Sequence, residues 1–261
     1  MLNNLEPTDR SLLSENLNAL INASLEEENN KQAPREYLGG SRVGVECSRA
    51  LFYEYKNHTK DPDKNFTGKV IRRFRMGHMH EIETAAWLRS AGFTLLTEKA
   101  DGSQFGFNIG KGRIRGHIDG VLTAGPDIGV PYNILWEHKI MKNSKFNECV
   151  KHGVQKANFV YFAQTQMYMA YMPPVLNFPV NHTLFTALNT DTSELYFELV
   201  AYNPQIAQNL SDRAARIVMS ASASELPRIT KDKNDYRCKF CSYYDTCWER
   251  DAALQLPTFV G

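Results

Sequence analysis

The sequence predicts an α/β fold, a mixed β-sheet flanked by helices, and three observations carry that expectation. The longest helical signal, Lys69 to Ser90, precedes a series of short strand signals. Those strands end in the apolar run Ile134 to Ile140, and a second helical stretch follows at Asn158 to Tyr171. Two more alternating strands and a last helix complete the order, which packs as a sheet between helical layers.

Composition sets the class. The 261 residues are 43% hydrophobic and 23% charged, ordinary globular values sufficient for one large domain or two small ones. The formal net charge is +1, so a surface for polyanions has to be a local patch. The first residues, Met1 to Glu6, lack the basic start and apolar run of a secretory signal. No segment approaches membrane-spanning length, so a cytoplasmic protein without a membrane partner is expected. Five cysteines, three of them in one short window, argue against a secreted disulfide framework.

Residues 8–30 carry Leu13, Leu17, Leu20, Ile21 and Leu25 at helical spacing, an arm expected to pack on its own domain. Glu26 to Glu28 and Pro34 end it. The division expected is a helical arm over 1–36, a main domain over 37–250 and a tail over 251–261. Glycines at 39 and 40 open a loop, and a helix starts near Val45 with Cys47 beside its first turn. In the helix at 69–90, Val70, Phe74, Ile82, Ala85, Ala86 and Leu88 form the apolar stripe, and Lys69, Arg72, Arg73 and Arg75 make the first half basic. Strands are expected at 93–97, 104–109, 112–122 and 134–140, with a loop at 123–133 set by Gly125-Pro126, Gly129 and Pro131. After the helix at 158–171, strands at 183–188 and 194–201 flank Asn189-Thr190-Asp191, and a helix covers 205–221.

The chemistry concentrates in Gly116-His-Ile-Asp119-Gly120 and Trp136-Glu137-His138-Lys139. On a strand, Glu137 and Lys139 share one face and His138 points to the other. A hairpin through the 123–133 loop brings Asp119 beside them. Two carboxylates suit Mg²⁺ or Mn²⁺, and a lysine beside them stabilises charge on a phosphate or positions a water. The same residues would also serve as a surface hairpin with a cross-strand ion pair. On the long helix, Glu81 lies one turn from Gly77, whose missing side chain admits a backbone or phosphate. Glu81 or His80 is a candidate further ligand; a solvated polar face is the plain alternative. Lys142, Lys145, Lys151 and Lys156 follow the site as a candidate phosphate track. Gln164 and Tyr168 are neighbours on one helical face and are suited to hydrogen bonding and base stacking.

Cys238, Cys241 and Cys247 fall as Cys-x2-Cys-x5-Cys, a metal-ligand spacing that leaves one position open for Cys47 or Cys149. Zinc and an iron–sulfur cluster both accept four thiolates.

In this order, the motifs resemble the PD-(D/E)XK nuclease superfamily in its RecB-like branch. The likeness is to members with a four-cysteine iron–sulfur cluster, such as CRISPR-adaptation RecB-like nucleases and the AddB nuclease domain, and to phage recombination exonucleases. It spans residues 40–250 through Cys47-Ser-Arg49 with Phe52-Tyr53, Gly77 to Glu81, Gly116 to Asp119, Glu137 to Lys139, Gln164 to Tyr168 and the cysteine triplet. The resemblance implies a restriction-endonuclease-like core with a C-terminal cysteine-cluster clasp. It implies that Asp119, Glu137 and the His138 carbonyl bind Mg²⁺ or Mn²⁺ and that Lys139 is catalytic. Glu81 takes the first motif, with His80 as the alternative, since many relatives carry His there. Gln164, Tyr168, Arg72, Arg73, Arg75, Lys142 and Lys145 would hold DNA. Cys47, Cys238, Cys241 and Cys247 would ligate a 4Fe–4S cluster, leaving Cys149 an ordinary thiol. The activity implied is metal-dependent hydrolysis of DNA, with an exonuclease in DNA processing or recombination favoured. Partners implied are DNA and a single-strand annealing or other recombination or replication protein, with room for a homo-oligomer. Two rival expectations are a nuclease-fold DNA-binding protein without catalysis and a zinc-binding adaptor.

Overall fold

The predicted sheet forms, and it divides in two. The computed structural model describes residues 7–250; residues 1–6 and the expected tail at 251–261 lie outside the described residues. The chain begins with α1 (Pro7–Asn30), β1 (Leu38–Gly39), α2 (Ser48–Tyr55) and α3 (Gly68–Ser90). The strands β2 (Thr94–Leu96), β3 (Gly106–Ile109), β4 (Ile114–His117), β5 (Gly120–Ala124) and β6 (Ile134–Met141) follow. Then come α4 (Asn143–His152), α5 (Val154–Ala157), α6 (Phe159–Tyr171), α7 (Pro173–Leu176), β7 (His182–Asn189), β8 (Leu195–Ala201), α8 (Pro204–Met219) and α9 (Tyr236–Lys239).

Strands β2-β5-β6-β7-β8 make a five-stranded mixed sheet, in which β6 and β7 are parallel and the other pairs antiparallel. A smaller sheet has the order β1-β4-β3. The single strand expected over 112–122 is therefore two strands in different sheets, β4 and β5, separated at Ile118-Asp119. Alternation cannot register such a break, because both halves keep period two. Gly116 lies against Tyr168 and Phe107; a Cβ there would stand 2.7 and 2.6 Å from their ring atoms. β6 is central, so both its faces are covered and its first five residues are buried. One face, with Trp136, packs under Ala85 and Leu88 of α3. The other joins the main core, with Leu135, Phe185, Phe162 and Met167.

Two helices depart from their expected faces. On α3 the buried residues are Ile71, Thr84, Ala85 and Leu88, whereas Phe74 and Ile82 are exposed. Most of the α1 stripe is left open: Leu13, Leu17, Leu20 and Ile21 are exposed, and Leu25 is half-buried. Polar contacts hold α1 to α3 instead. Asn22 sits directly over Gly68, Glu26 Oε1 accepts the Gly68 N–H at 2.7 Å, and Glu28 pairs with Arg75 at 2.7 Å. The basic segment after β6 is the helix α4, with Phe146 and Cys149 buried at i, i+3 spacing. Pro173 follows the end of α6 but also opens the short α7, where its missing N–H is no loss.

The ends of the domain are clasped by buried polar groups. Asp61, 4% exposed, accepts from Asp245 N at 2.7 Å, Thr246 N at 3.2 Å and Thr246 Oγ1 at 2.8 Å. The Arg49 guanidinium donates to Leu226 O at 2.7 Å. From α8, Arg213 donates to Val43 O at 3.0 Å and Glu46 O at 2.8 Å. Asp61→Ala strands three buried donors and should lower stability by about 3 kcal/mol in urea unfolding. A loss under about 1 kcal/mol would show that the tail is held by other contacts.

Candidate active site

The break between β4 and β5 is what assembles the site. The β5–β6 ladder ends at the Gly120–Trp136 pair. One residue earlier, the Asp119 side chain replaces a strand partner: its Oδ2 accepts the His138 backbone N–H at 2.7 Å. Strand alternation turns Glu137 and Lys139 toward α6, and the lysine ammonium donates a short hydrogen bond to Glu137 Oε1. The same ammonium donates to the His138 carbonyl at 3.0 Å and lies 5.6 Å from the Tyr161 ring centre. Glu137 is 1% exposed, which excludes the surface-hairpin alternative.

Gln164 and Tyr168 are interior residues. Gln164 Nε2 donates to Glu137 Oε1 at 2.6 Å and to Tyr168 Oη at 3.2 Å. Both side chains are buried, so they orient Glu137 and do not line an open groove. Glu137 Oε1 thus takes two donors, while Oε2 is buried with no hydrogen-bond partner.

Electrostatics joins Glu81 to this group. Burial pushes the Glu81 carboxyl up to about 7, and Asp119 adds to the rise. Burial and then Asp119 push Glu137 up to about 8, against the pull of Lys139. Asp119 is also raised, by burial, with Lys139 and the His138 N–H opposing. Burial works against the Lys139 charge, but Glu137 and Asp119 outweigh it and hold the ammonium above the ordinary lysine range. Three carboxyls crowded against one ammonium are undercharged on the positive side.

His80, the alternative to Glu81, has its Nδ1 buried with no hydrogen-bond partner among the described residues. His78, which sequence reasoning missed, is the histidine at the carboxylates: its Nδ1 is 3.7 Å from Glu81 Oε2. The i, i+3 spacing of the two residues was the available signal. Gly77 has open space where a side chain would be, so no close approach requires it here. Of the expected DNA-contacting arginines, Arg72 donates to Asn22 Oδ1 at 2.6 Å and Arg75 pairs with Glu28, leaving Arg73 exposed. Lys142 and Lys145 are exposed, and they line a cavity of about 380 Å³ together with Asn158 and Tyr161.

Cys47, Cys238, Cys241 and Cys247 line one cavity with Arg228 and Trp248. The Arg228 Nε donates to Cys247 Sγ at 3.4 Å. Cys149 lies elsewhere, its thiol donating to Met141 Sδ at 3.7 Å, so Cys47 is the cysteine beside the triplet. Among the described residues no three His, Cys, Asp or Glu side chains stand as a preassembled set of metal ligands. The donor chemistry nevertheless fits both groups. The orphaned Glu137 Oε2 and the raised carboxyls fit a divalent cation, and four thiols around one cavity fit a thiophilic one.

No protein-family model and no curated protein matches the chain. Solved structures are similar in the course of the chain. An alkaline exonuclease, LHK-Exo from Laribacter hongkongensis, is 11% identical with a TM-score of 0.48, over 85% of this chain and 96% of that one. Its complex with dAMP is 12% identical with a TM-score of 0.48, over 84% and 94%. The crystal structure of SSO0001 is 11% identical with a TM-score of 0.45, over 93% and 96%. The chemistry of this chain rests on its own residues.

A carboxyl held above its unfolded value binds its proton more tightly in the folded chain, so its contribution to stability falls as pH rises. For Glu137 that fall runs from about 4.5 to about 8. In chelator, Glu137→Gln should therefore be more stable than the wild type at about pH 8, with the gap closing below about pH 4.5. Thermal unfolding across pH measures it, and a gap that does not depend on pH would disprove the assignment.

Proposed function

We propose that this chain is a divalent-metal-dependent nuclease acting on DNA, of the PD-(D/E)XK type, and an exonuclease of DNA processing or recombination. The observation that carries the proposal is the grouping of the partly exposed Glu81, Asp119 and Lys139 about the buried Glu137, whose Oε2 is left without a partner. Asp119 and Glu137, with Glu81 and the His138 carbonyl beside them, would hold Mg²⁺ or Mn²⁺, which polarises a phosphate oxygen and acidifies a bound water.

The protein's own groups do the rest. Asp119 is fixed by the His138 N–H, and Glu137 by Gln164 backed by Tyr168. Lys139, whose ammonium Glu137 and Asp119 hold above the ordinary lysine range, would stabilise negative charge developing on the phosphate. Lys142 and Lys145 offer the phosphodiester backbone two exposed charges, and the Tyr161 ring that lines their cavity lies 5.6 Å from the Lys139 ammonium. The four cysteines are read as ligands of a 4Fe–4S cluster that ties α2 to the C-terminal segment; zinc has use for the same donors.

The test is cleavage of end-labelled linear single- and double-stranded DNA by anaerobically purified protein with Mg²⁺ or Mn²⁺. Lys139→Ala should slow cleavage about 100-fold or more, and Glu137→Ala or chelator should abolish it. The labelled end gives the polarity, and absence of cleavage by the wild type would refute the nuclease.

Iron, sulfide and zinc analysis of the same preparation tests the cysteine group. About four irons with matching sulfide are expected, falling on Cys241→Ser. One zinc without sulfide would replace the cluster with a structural zinc site.

A further inference from the structure

His138 sits between two residues of the site, yet its side chain faces away from them, into the apolar layer under α3. The ring is 4% exposed and stacks against Trp136, with centres 5.9 Å apart. Both ring nitrogens are engaged: Nε2 shares a hydrogen bond with Thr84 Oγ1 of α3 at 3.3 Å, and Nδ1 with Thr186 Oγ1 of β7 at 2.9 Å. Thr186 also accepts the Trp136 indole N–H at 3.1 Å and donates to the Glu137 carbonyl at 3.3 Å. Both threonines are buried and β-branched, with stiff side chains. An aromatic hydrocarbon would fill this space without burying two ring nitrogens.

The peptide flanks of the same residue carry the site. The His138 N–H holds Asp119, and the His138 carbonyl holds the Lys139 ammonium. At this point the regular β5–β6 ladder has already ended, so β5 supplies no strand carbonyl to fix His138 from that side.

We propose that the His138 side chain is a positioning residue: bridged to Thr84 and Thr186, it fixes the backbone unit that sets Asp119 and Lys139. For its effect on the metal this rests on the nuclease reading; for its effect on the backbone it does not. The ring acts through its own main chain and touches no substrate.

The test compares wild type with His138→Phe, Thr84→Val and Thr186→Val, each checked for folding by circular dichroism. The first keeps shape and removes both hydrogen bonds. The two valines keep the ring and remove one of its partners each; Thr186→Val also unpairs the Trp136 indole N–H, so Thr84→Val carries the test if His138→Phe does not fold. Amide exchange at His138, measured in chelator, should be at least about tenfold faster in each folded variant, as a lost restraint predicts. Mn²⁺ affinity, measured by electron paramagnetic resonance without DNA, should fall about 10- to 100-fold. kcat should fall while KM for DNA stays within about twofold. Adding Thr84→Val to His138→Phe should add little, because both remove one unit.

Folded variants with wild-type exchange and Mn²⁺ affinity would overturn the proposal and leave His138 a space-filling residue. Wild-type protein that binds no Mn²⁺ would refute the metal reading, and the exchange rates would still decide whether the ring fixes the backbone.

Discussion

A carboxylate at the centre of a sheet is the constraint on which the rest of this structure depends. Glu137 lies on the middle strand, almost fully buried, and an uncompensated charge there is costly. One oxygen is met by Lys139 and Gln164; the other has nothing. The compensation is local and incomplete.

Three pieces of architecture follow from that carboxylate. The chain leaves one sheet at His117 and enters another at Gly120, so that Asp119 turns its side chain to the edge of β6 in place of a strand carbonyl. Helix α6 lies on the Glu137 face and supplies Gln164 and Tyr168 at i, i+4 spacing. Helix α3 covers the opposite face, and only near Glu81 does it come close enough to feel Asp119 and Lys139. The site is therefore made where two layers meet at the end of a ladder, and both layers are rigid elements.

The periphery shows a different economy. Asp61 joins the segment after α2 to Asp245 and Thr246, Arg49 joins α2 to Leu226, and Arg213 joins α8 to Val43. At the other end, α1 is held by Asn22, Glu26 and Glu28 and turns most of its leucines outward. Asn22 engages Arg72 and Glu28 pairs with Arg75, so the basic half of α3 presents less free charge than its sequence promises.

The sequence by itself determined the helix and strand order, the shared face of Glu137 and Lys139 and the opposite one of His138. Periodicity of 3.6 or 2 is a property of the local chain, and those elements obey it. It also paired Gln164 with Tyr168 by helical spacing. The two-sheet break at Asp119, the burial of Gln164 and Tyr168 and the exposure of most of the α1 stripe were decided only in three dimensions. Each depends on which surface another segment covers: β4 and β5 keep one alternation across two sheets, and an amphipathic α1 reads the same whether or not anything packs on it. Thr84 and Thr186 lie 102 residues apart, and no local pattern relates them; the fold brings both to His138 because Thr186 is its register partner on the adjacent strand β7 and α3 covers the face they share.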